Sequence, residues 1–298
     1  MQNLTGKKIV IIGLGLIGGS VAKALAQRNI NCELIAVGRN ESVLQTALTD
    51  GSITGYATDV QIACEDADLI ILGVPVLSIP EQLRLLAPIL PEKAVVTDVA
   101  SVKQAVVDMV KAEFGRVPVN FVPGHPIAGS EQSGYAAAKN DLFAGRKVIL
   151  TPMVDTAPSA VLLVRELWET IGAEVLEMNV EKHDEVLAAT SHLPHLLAYA
   201  LVDTLSQQGE SEEIFRYAAG GFRDFTRIAS SDPVMWRDIF LTNGEATVTI
   251  LDKYVNDLQR LRTALLDKNA ELLFETFKRA KQSRDGFLKQ LQQNNPKG

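Results

Sequence analysis

The first half of the chain alternates between short apolar runs and amphipathic segments. Runs such as residues 7–15 (KKIVIIGLG) and 67–76 (ADLIILGVPV) are rich in Val, Ile and Leu without interruption, which is typical of strands buried on both faces. Most of these runs are followed by a segment whose apolar residues recur three and four positions apart, which predicts a helix. We therefore expect a parallel sheet covered by helices on both faces. The predicted strands lie at residues 7–15, 32–39, 67–76, 93–101, 119–131, 146–152 and 173–179.

The pattern changes near residue 180, after which the strand signals stop. Three long segments, residues 180–208, 231–269 and 270–292, have helical spacing of their apolar residues. The chain is therefore predicted to consist of an α/β N-terminal domain of residues 1–178, followed by an all-α C-terminal domain of residues 179–298.

A glycine-rich motif, GxGxxG, follows the first predicted strand and opens the first predicted helix. In this context the glycines allow a tight turn, close approach of a pyrophosphate and close packing of the helix on the strand, and the helix N-terminus favours an anion. The motif predicts a Rossmann-type dinucleotide-binding domain. Val74 and Pro75, which end the third predicted strand, are predicted to contact the cofactor as well. The motif comprises Gly13, Leu14, Gly15, Leu16, Ile17 and Gly18.

The end of the second predicted strand bears on the choice of dinucleotide. NAD-binding domains usually carry Asp or Glu about 20 residues beyond the glycines, bonded to the ribose 2′-OH. Here the strand ends in Gly38, Arg39 and Asn40, and no carboxylate occurs until Glu41. Arg39 would pair with a 2′-phosphate, and Gly38 leaves room for it; the alternative is that Arg39 is only a solvated loop charge. The sequence favours NADP, with NAD as the other possibility.

Two polar residues stand at the ends of predicted strands further along the chain. His125 lies in the motif GHPIAGSEQSG (residues 124–134), and Ser101 ends the motif TDVAS. Ligands of open α/β sheets bind at the carboxyl ends of the strands, and an imidazole ionises near neutral pH, which suits a general base. His125 is therefore a candidate base and Ser101 its neighbour, against the alternative that His125 is a structural loop residue.

These motifs occur in the same order in a known family. Together with TSHLPH (residues 190–195) and GGFRDFTRIASSDPVMWRDI (residues 220–239), the chain resembles the prephenate/arogenate (cyclohexadienyl) dehydrogenases of tyrosine biosynthesis, over roughly residues 7–285. The resemblance implies hydride transfer from the C4–OH carbon of a cyclohexadienyl ring to a nicotinamide, with loss of the ring carboxylate as CO₂. It implies prephenate as substrate, with arogenate or both substrates as alternatives, and a homodimer formed through the helical domains.

The resemblance also implies roles for individual residues. His125 would accept the hydroxyl proton, Ser101 would touch that hydroxyl and the nicotinamide carboxamide, and Arg227 would pair with the ring carboxylate. Further residues would form the wall of the substrate pocket, with a tryptophan reaching over from the partner subunit. These wall residues are Ser191, His192, His195, Asp224 and Trp236.

The spacing of His192 and His195 raises the question of a metal site. His192 and His195 lie three apart, on one face of a helix, but the third and fourth ligands of a zinc site are missing nearby, so we expect no metal. His192 has the alternative interpretation of a buried core ring. His183 is expected to be solvated, and Arg223 to be a surface or interface charge.

Composition and charge limit the remaining possibilities. The chain has 298 residues and a net charge of −7, which argues against non-specific binding of nucleic acid. No apolar run approaches the roughly 20 residues that span a bilayer, and the N-terminus does not resemble a signal peptide. We therefore expect a cytoplasmic protein. Two competing interpretations are a dehydrogenase of other hydroxy acids and a non-enzymatic nucleotide sensor.

Overall fold

A parallel six-stranded sheet forms the centre of the first part of the chain. The computed structural model describes residues 4–209 and 211–294. The strands are β1 (Lys8–Ile12), β2 (Glu33–Val37), β3 (Gly55–Ala57), β4 (Leu69–Leu72), β5 (Val95–Asp98) and β6 (Phe121–Val122). Their order in the sheet is β3-β2-β1-β4-β5-β6, which is the order of dinucleotide-binding Rossmann domains. The predicted fold class is confirmed.

Both faces of this sheet are buried, as the continuous apolar runs predict. Along β1, Ile9 and Ile11 belong to one apolar cluster, whereas Val10 and Ile12 belong to another. The side chains of successive strand residues point to opposite faces, so the two clusters lie on the two sides of the sheet. Burying each such side chain contributes about 1.5–3 kcal/mol.

Helices cover the sheet and then make up the rest of the chain. The first six are α1 (Leu16–Gln27), α2 (Glu41–Thr49), α3 (Val60–Cys64), α4 (Ile79–Leu86), α5 (Gln104–Phe114) and α6 (Pro158–Thr170). The later ones are α7 (Val180–Leu187), α8 (Leu193–Ser206), α9 (Ser211–Arg216), α10 (Gly220–Thr226), α11 (Pro233–Thr242), α12 (Gly244–Leu266) and α13 (Ala270–Asn294). Within the described residues, no helix is long and apolar enough to cross a membrane.

The predicted strand at residues 119–131 is two strands in two different sheets. After β6 the chain passes through Pro123 and enters β7 (Gly124–Pro126), which pairs antiparallel with β8 (Lys147–Leu150); β8 pairs parallel with β9 (Glu174–Glu177). Proline has no N–H to donate to a ladder, which explains the break. His125 therefore lies on a short strand of the second sheet, directly after the end of β6.

The predicted helices at residues 180–208 and 231–269 are each interrupted. A π-helical turn, Ala188–His192, separates α7 from α8, and Pro194, which has no N–H, stands in the first turn of α8. Asn243 separates α11 from α12. The short elements β3, α3, α9 and α10 were not predicted, because their patterns are too short to show a period.

The chain divides into two compact units, residues 1–247 and 248–298. Helix α7 packs on α5, so the first helices beyond residue 179 belong to the first unit. The domain boundary between residues 178 and 179 stays a prediction, distinct from this division. The second unit consists of α13 and the part of α12 from residue 248 onward. Several of its large apolar side chains are exposed, including Leu265, Leu266, Phe274 and Phe277.

Candidate active site

Two cavities of the first unit meet at Ser101 and His125. The first, of about 590 Å³, lies over the glycine-rich motif, and the second, of about 990 Å³, lies toward the later helices. Ser101 and His125 line both. Other residues of the first cavity are Gly15, Leu16, Ile17, Val74 and Pro75. Other residues of the second cavity are Ser191, His195, Arg227 and Trp236.

The glycine-rich motif is shaped to receive a dinucleotide. Gly13 has φ +99°, and a Cβ atom there would lie 2.7 Å from the carbonyl carbon of Gly73; a Cβ atom on Gly18 would lie 2.2 Å from the Gly13 oxygen. These two glycines allow the turn and the close packing of α1. At Gly15, by contrast, an added Cβ atom meets nothing within 4 Å. Gly15 caps α1 without a side-chain hydrogen bond, so a pyrophosphate fits over the first N–H groups of this helix.

The remaining residues that were predicted to bind the cofactor differ in what their side chains contact. Leu14 is buried in the apolar core and lines neither cavity, because its side chain packs away from the turn. Asn40 caps α2: its Oδ1 atom accepts a 3.4 Å bond from the N–H of Val43 and a 2.7 Å bond from the hydroxyl of Ser42. Arg39 is exposed and has no hydrogen bond or ion pair with the other described residues. At Gly38 a Cβ atom would make ordinary contact with Leu44, at 3.6 Å.

His125 heads a chain of hydrogen bonds that runs into the protein. Its Nδ1 atom lies 2.9 Å from Nε2 of His183, whose Nδ1 atom lies 2.7 Å from Oδ1 of Asp184. Among the described residues, Nε2 of His125 makes no hydrogen bond. The expectation that His183 is solvated is wrong, since its exposed fraction is 0%. Val180 and Leu187 are buried on the same face of α7, and their spacing is the signal that could have indicated this.

Asp184 is held as an anion by donors that surround it. Its Oδ1 atom accepts a 2.8 Å bond from the N–H of Lys103, and its Oδ2 atom a 2.8 Å bond from the N–H of Gln104. Burial raises the pKa of Asp184, but the hydrogen bonds from His183 and from these two N–H groups outweigh it, and the net pKa is lowered. The carboxylate therefore stays ionised and acts only as an acceptor.

The electrostatic environment keeps His125 neutral. Burial, followed by unfavourable charge–charge interactions with the titratable groups of His183, Lys103 and His192, holds the pKa of His125 well below its usual value. The protonated form is disfavoured because it is desolvated and repelled. An imidazole at this place is therefore ready to accept a proton at physiological pH.

A buried ion pair anchors the strand that carries His125. The ammonium group of Lys103 contacts Oδ2 of Asp98 and donates a 2.7 Å bond to the carbonyl of Gly124. Both charged side chains are 0% exposed, and Oδ2 of Asp98 also accepts a 2.9 Å bond from the N–H of Ala100. The pair joins the end of β5 to the residue before His125. Sequence reasoning missed Lys103, although it lies two residues after the motif TDVAS.

On the substrate side, His195 and Trp236 form a stacked pair. Their ring centroids are 3.7 Å apart, at an interplanar angle of 23°. Nδ1 of His195 lies 2.8 Å from the carbonyl oxygen of Ser191, so Nδ1 donates and Nε2 remains an acceptor. Burial lowers the pKa of His195. Trp236 lines the cavity of its own chain. The expectation that this ring also reaches over to the partner subunit stays a prediction.

His192 lies behind the cavity wall and does not line either cavity. It is 0% exposed, and its Nδ1 atom accepts a 3.1 Å hydrogen bond from the side-chain amide of Asn243. Burial lowers the pKa of His192 to about 4. Its ring packs edge-on against Trp236, with the centroids 6.0 Å apart. The structure thus corrects the placement of His192 in the pocket wall: it is a buried neutral ring that supports Trp236.

Arg227 and Asp224 occupy more exposed positions. Arg227 borders the second cavity; its side chain is 63% exposed, and its Nη1 atom lies 3.4 Å from Oε2 of Glu131. Asp224 is 81% exposed, with its nearest charged partner, Arg223, at 3.9 Å. It lines neither cavity. Helix α10 has no buried residue, so nothing among the described residues turns Asp224 inward, and its predicted pocket role is not seen.

The side chains around the two cavities also bear on the question of a metal site. Within the described part of the chain, no group of three or more His, Cys, Asp or Glu side chains could hold a metal ion. The polar groups at the junction of the cavities are instead suited to proton transfer and to the recognition of an organic anion.

Two cavities that share one neutral histidine suit the exchange of a hydride between a nucleotide in one and a substrate in the other. This arrangement defines a nicotinamide-dependent dehydrogenase. The nucleotide-binding domain of prephenate dehydrogenase matches residues 21–177, and the dimerization domain of prephenate dehydrogenase matches residues 179–279. The chain belongs to the prephenate dehydrogenase family.

Relatives and solved structures agree with this assignment. The chain is 38% identical to the cyclohexadienyl dehydrogenase of Zymomonas mobilis, over 93% of this chain and 95% of that protein. It is 39% identical to the prephenate dehydrogenase of Bacillus subtilis, over 94% of this chain and 76% of that protein. The crystal structure of prephenate dehydrogenase from Aquifex aeolicus in complex with hydroxyphenyl propionate and NAD⁺ superposes with a TM-score of 0.89, at 38% identity, covering 96% of this chain and 100% of that chain.

The glycine geometry predicts opposite outcomes for two matched substitutions. Gly15→Ala adds a methyl group to open space at the cavity, so the protein should fold normally but bind dinucleotide at least about tenfold more weakly. Gly18→Ala forces a methyl group against the backbone of Gly13, and overpacking of this kind costs about 1–3 kcal/mol of folding free energy. Urea unfolding and dinucleotide titration distinguish the two effects. Unchanged dinucleotide affinity in Gly15→Ala would contradict the proposed position of the pyrophosphate.

Proposed function

We propose that this protein oxidises prephenate to 4-hydroxyphenylpyruvate, with loss of CO₂ and transfer of a hydride to a nicotinamide cofactor. The single observation that carries this proposal is the position of His125 at the junction of the two cavities, with its Nε2 atom unbonded among the described residues. The names of the relatives in Zymomonas mobilis and Bacillus subtilis support the substrate class. The bound nicotinamide would supply the hydride acceptor.

The residues at the junction would act on the substrate hydroxyl. His125 is neutral and accepts the hydroxyl proton at Nε2, which lets the C–O bond become a carbonyl as hydride leaves. Ser101 lines both cavities and would orient the same hydroxyl. In this way one proton acceptor and one hydroxyl group position the reacting carbon against the nucleotide cavity.

Arg227 would hold the ring carboxylate at the outer side of the second cavity. A guanidinium group matches a carboxylate in geometry and charge, yet the reaction must expel this carboxylate, so tight binding of the ground state would slow it. The exposure of Arg227 and its contact with Glu131 both weaken its hold on an anion. The arrangement therefore positions the carboxylate without over-stabilising it.

Arogenate is the second candidate substrate, and one observation favours it. Because the carbonyl of Ser191 accepts from Nδ1 of His195, Nε2 of neutral His195 is an acceptor that suits the ammonium group of arogenate. Glu131 would also attract an ammonium group, but its carboxylate already faces Arg227. Prephenate remains the first proposal.

The proposal is tested by following reduced nicotinamide by its absorbance, with prephenate and with arogenate, each with NAD and with NADP. Turnover of prephenate with release of CO₂ is the expected result. Turnover of arogenate alone would reassign the substrate, and turnover of neither would overturn the proposal.

We also propose that the protein is a homodimer. The match to a dimerization domain and the exposed apolar side chains of α12 and α13 support this proposal. A cytoplasmic location stays a prediction.

Removal of the base should leave binding intact. His125→Asn is expected to lower kcat by roughly 10²–10⁴-fold, the usual contribution of general-base catalysis, with little change in the affinity for cofactor. Because the pKa of His125 is lowered, wild-type kcat/KM should rise with pH only below the usual histidine range and then stay level. This acidic limb should disappear in the variant. A variant with near-normal turnover would remove His125 from the mechanism.

Loss of the carboxylate partner should appear mainly in KM. Arg227→Ala is expected to raise the KM for prephenate by about 10- to 100-fold, since a hydrogen bond to a charged group contributes about 1.5–3 kcal/mol. Arg227→Lys should recover little, because the paired geometry is lost. Arg84→Ala is the matched control: Arg84 also faces a glutamate, Glu113, on the surface, and it lines neither cavity. Equal KM values in both alanine variants would place the carboxylate elsewhere.

We further propose that NADP is the preferred cofactor. The proposal is supported by the exposed Arg39, which has no partner among the described residues, and by the missing carboxylate at the end of β2. Arg39→Ala should lower kcat/KM for NADP and leave that for NAD unchanged, and the NADP rate should fall more with salt, since an exposed pair is screened. Gly38→Asp has room for its Cβ atom and should shift preference toward NAD. A wild type that prefers NAD, with no effect of Arg39→Ala, would show that Arg39 is only a surface charge.

A further inference from the structure

We propose that His183 and Asp184 are positioning residues that hold His125 in the tautomer with its proton on Nδ1 and its lone pair on Nε2, and that they stabilise the imidazolium formed when His125 accepts the substrate proton. This inference rests on the proposed function for its catalytic part. Its structural part, the tautomer, stands independently of which substrate is used.

The tautomer follows from a chain of donors and acceptors with one consistent solution. The carboxylate of Asp184 can only accept, so Nδ1 of His183 must carry a proton and donate it. Nε2 of that neutral ring is then an acceptor. It lies 2.9 Å from Nδ1 of His125, so Nδ1 of His125 must be the donor. The proton on His125 is thereby fixed on the inner nitrogen, and Nε2 is left bare.

The pair formed by His183 and Asp184 is held by two other parts of the fold. Two N–H groups at the start of α5, those of Lys103 and Gln104, bind the carboxylate of Asp184. The side-chain amide of Asn243 donates a 3.0 Å bond to the Asp184 carbonyl. His183 is completely buried. The acceptor offered to His125 therefore has little freedom to turn away, and the orientation of the catalytic ring is determined before substrate arrives.

The same chain of hydrogen bonds also stabilises the positive charge that His125 acquires. When His125 accepts a proton it becomes a buried cation, and that charge needs a nearby anion in a medium of low dielectric constant. His183 can accept the inner proton of His125: the Nδ1–H bond of His125 breaks as the Nε2–H bond of His183 forms. The positive charge then lies on His183, beside the carboxylate of Asp184. No atom leaves and no oxidant is required. The titratable groups that interact with His125 are His183 from α7, Lys103 before α5 and His192 from the π-helical turn. Those that interact with His183 include Asp184 from α7, Lys103 and Asp98 from the end of β5.

Asp184→Asn is the sharpest test, because an amide can reverse the chain. With the single amide oxygen in the place of Oδ2, where it keeps the N–H of Gln104, the NH₂ group takes the place of Oδ1. It then loses the bond from the N–H of Lys103 and donates to Nδ1 of His183. His183 must then carry its proton on Nε2 and donate to His125, whose own proton moves to Nε2. We expect kcat to fall by about 100-fold or more, in line with the loss seen when a buried carboxylate that orients a catalytic histidine is replaced by its amide. KM and cofactor affinity should change by less than about threefold.

A pair of His183 variants covers the case in which Asp184→Asn does not fold. His183→Gln places an amide oxygen where it can accept from Nδ1 of His125, whereas His183→Phe fills the volume and offers no acceptor. The glutamine variant should therefore keep a larger kcat than the phenylalanine variant, by about tenfold, the effect of roughly one hydrogen bond. Equal kcat values in these two variants would overturn the positioning role, since a purely packing role predicts no benefit from the acceptor.

The tautomer itself is read by nitrogen NMR of histidine-labelled protein, with the His125 signal assigned from His125→Asn. The wild type should show a protonated Nδ1 and a bare Nε2, and Asp184→Asn should show the reverse. Asp68→Asn is the matched control: Asp68 also accepts a backbone N–H, that of Lys8 at 3.0 Å, but it lines neither cavity, and its variant should match the wild type. A wild-type His125 with its proton on Nε2 would overturn the inference whatever the enzyme turns over. If no cyclohexadienyl substrate is turned over but the tautomer is as expected, the proposed function alone fails.

Discussion

Buried charge at the carboxyl end of β5 is the constraint on which the rest of this site depends. Lys103, Asp98 and Asp184 are all withdrawn from water, where an unpaired charge would cost several kcal/mol. Each is satisfied by partners from other elements: Lys103 by Asp98 and the Gly124 carbonyl, and Asp184 by His183 and two N–H groups of α5. The site can therefore form only when β5, β7, α5 and α7 have packed together. Folding and assembly of the catalytic centre are one event.

This constraint also explains why a histidine here is a base. A buried imidazole next to an ammonium group disfavours its charged form, and the pKa of His125 is lowered accordingly. The neutral ring would still be useless if its lone pair faced inward, since the proton to be removed lies in the cavity. The fixed donor direction from His125 to His183 removes that ambiguity, provided that Asp184 remains an anion. The electrostatic and the geometric requirements are thus met by the same few groups.

Much of this fold could be predicted from sequence, and the site only in part. Continuous apolar runs and the glycine motif determine the parallel sheet and the nucleotide cavity, because both depend on local spacing. His125 was predicted from its motif, but its partners His183 and Lys103 were not. Both are polar residues whose burial depends on contacts with segments distant in the chain: Lys103 contacts Gly124, and His183 contacts His125. His192 shows the opposite error: helical spacing placed it beside His195, but the position of Asn243 makes it a core residue.

The two ends of the substrate cavity differ in how firmly they are held. At the base, His125 is 8% exposed and tied to a buried network; at the other side, Arg227 is 63% exposed and faces Glu131 at 3.4 Å, a contact of the kind that contributes about 0–1 kcal/mol. A substrate that binds across the cavity therefore meets a reacting group already in place and a carboxylate partner that must still be ordered and desolvated. The energy spent on ordering Arg227 lowers the affinity for the ground state but takes nothing from the base. Since decarboxylation removes the charge that Arg227 binds, a weak hold at this end and a rigid hold at His125 are what the chemistry requires.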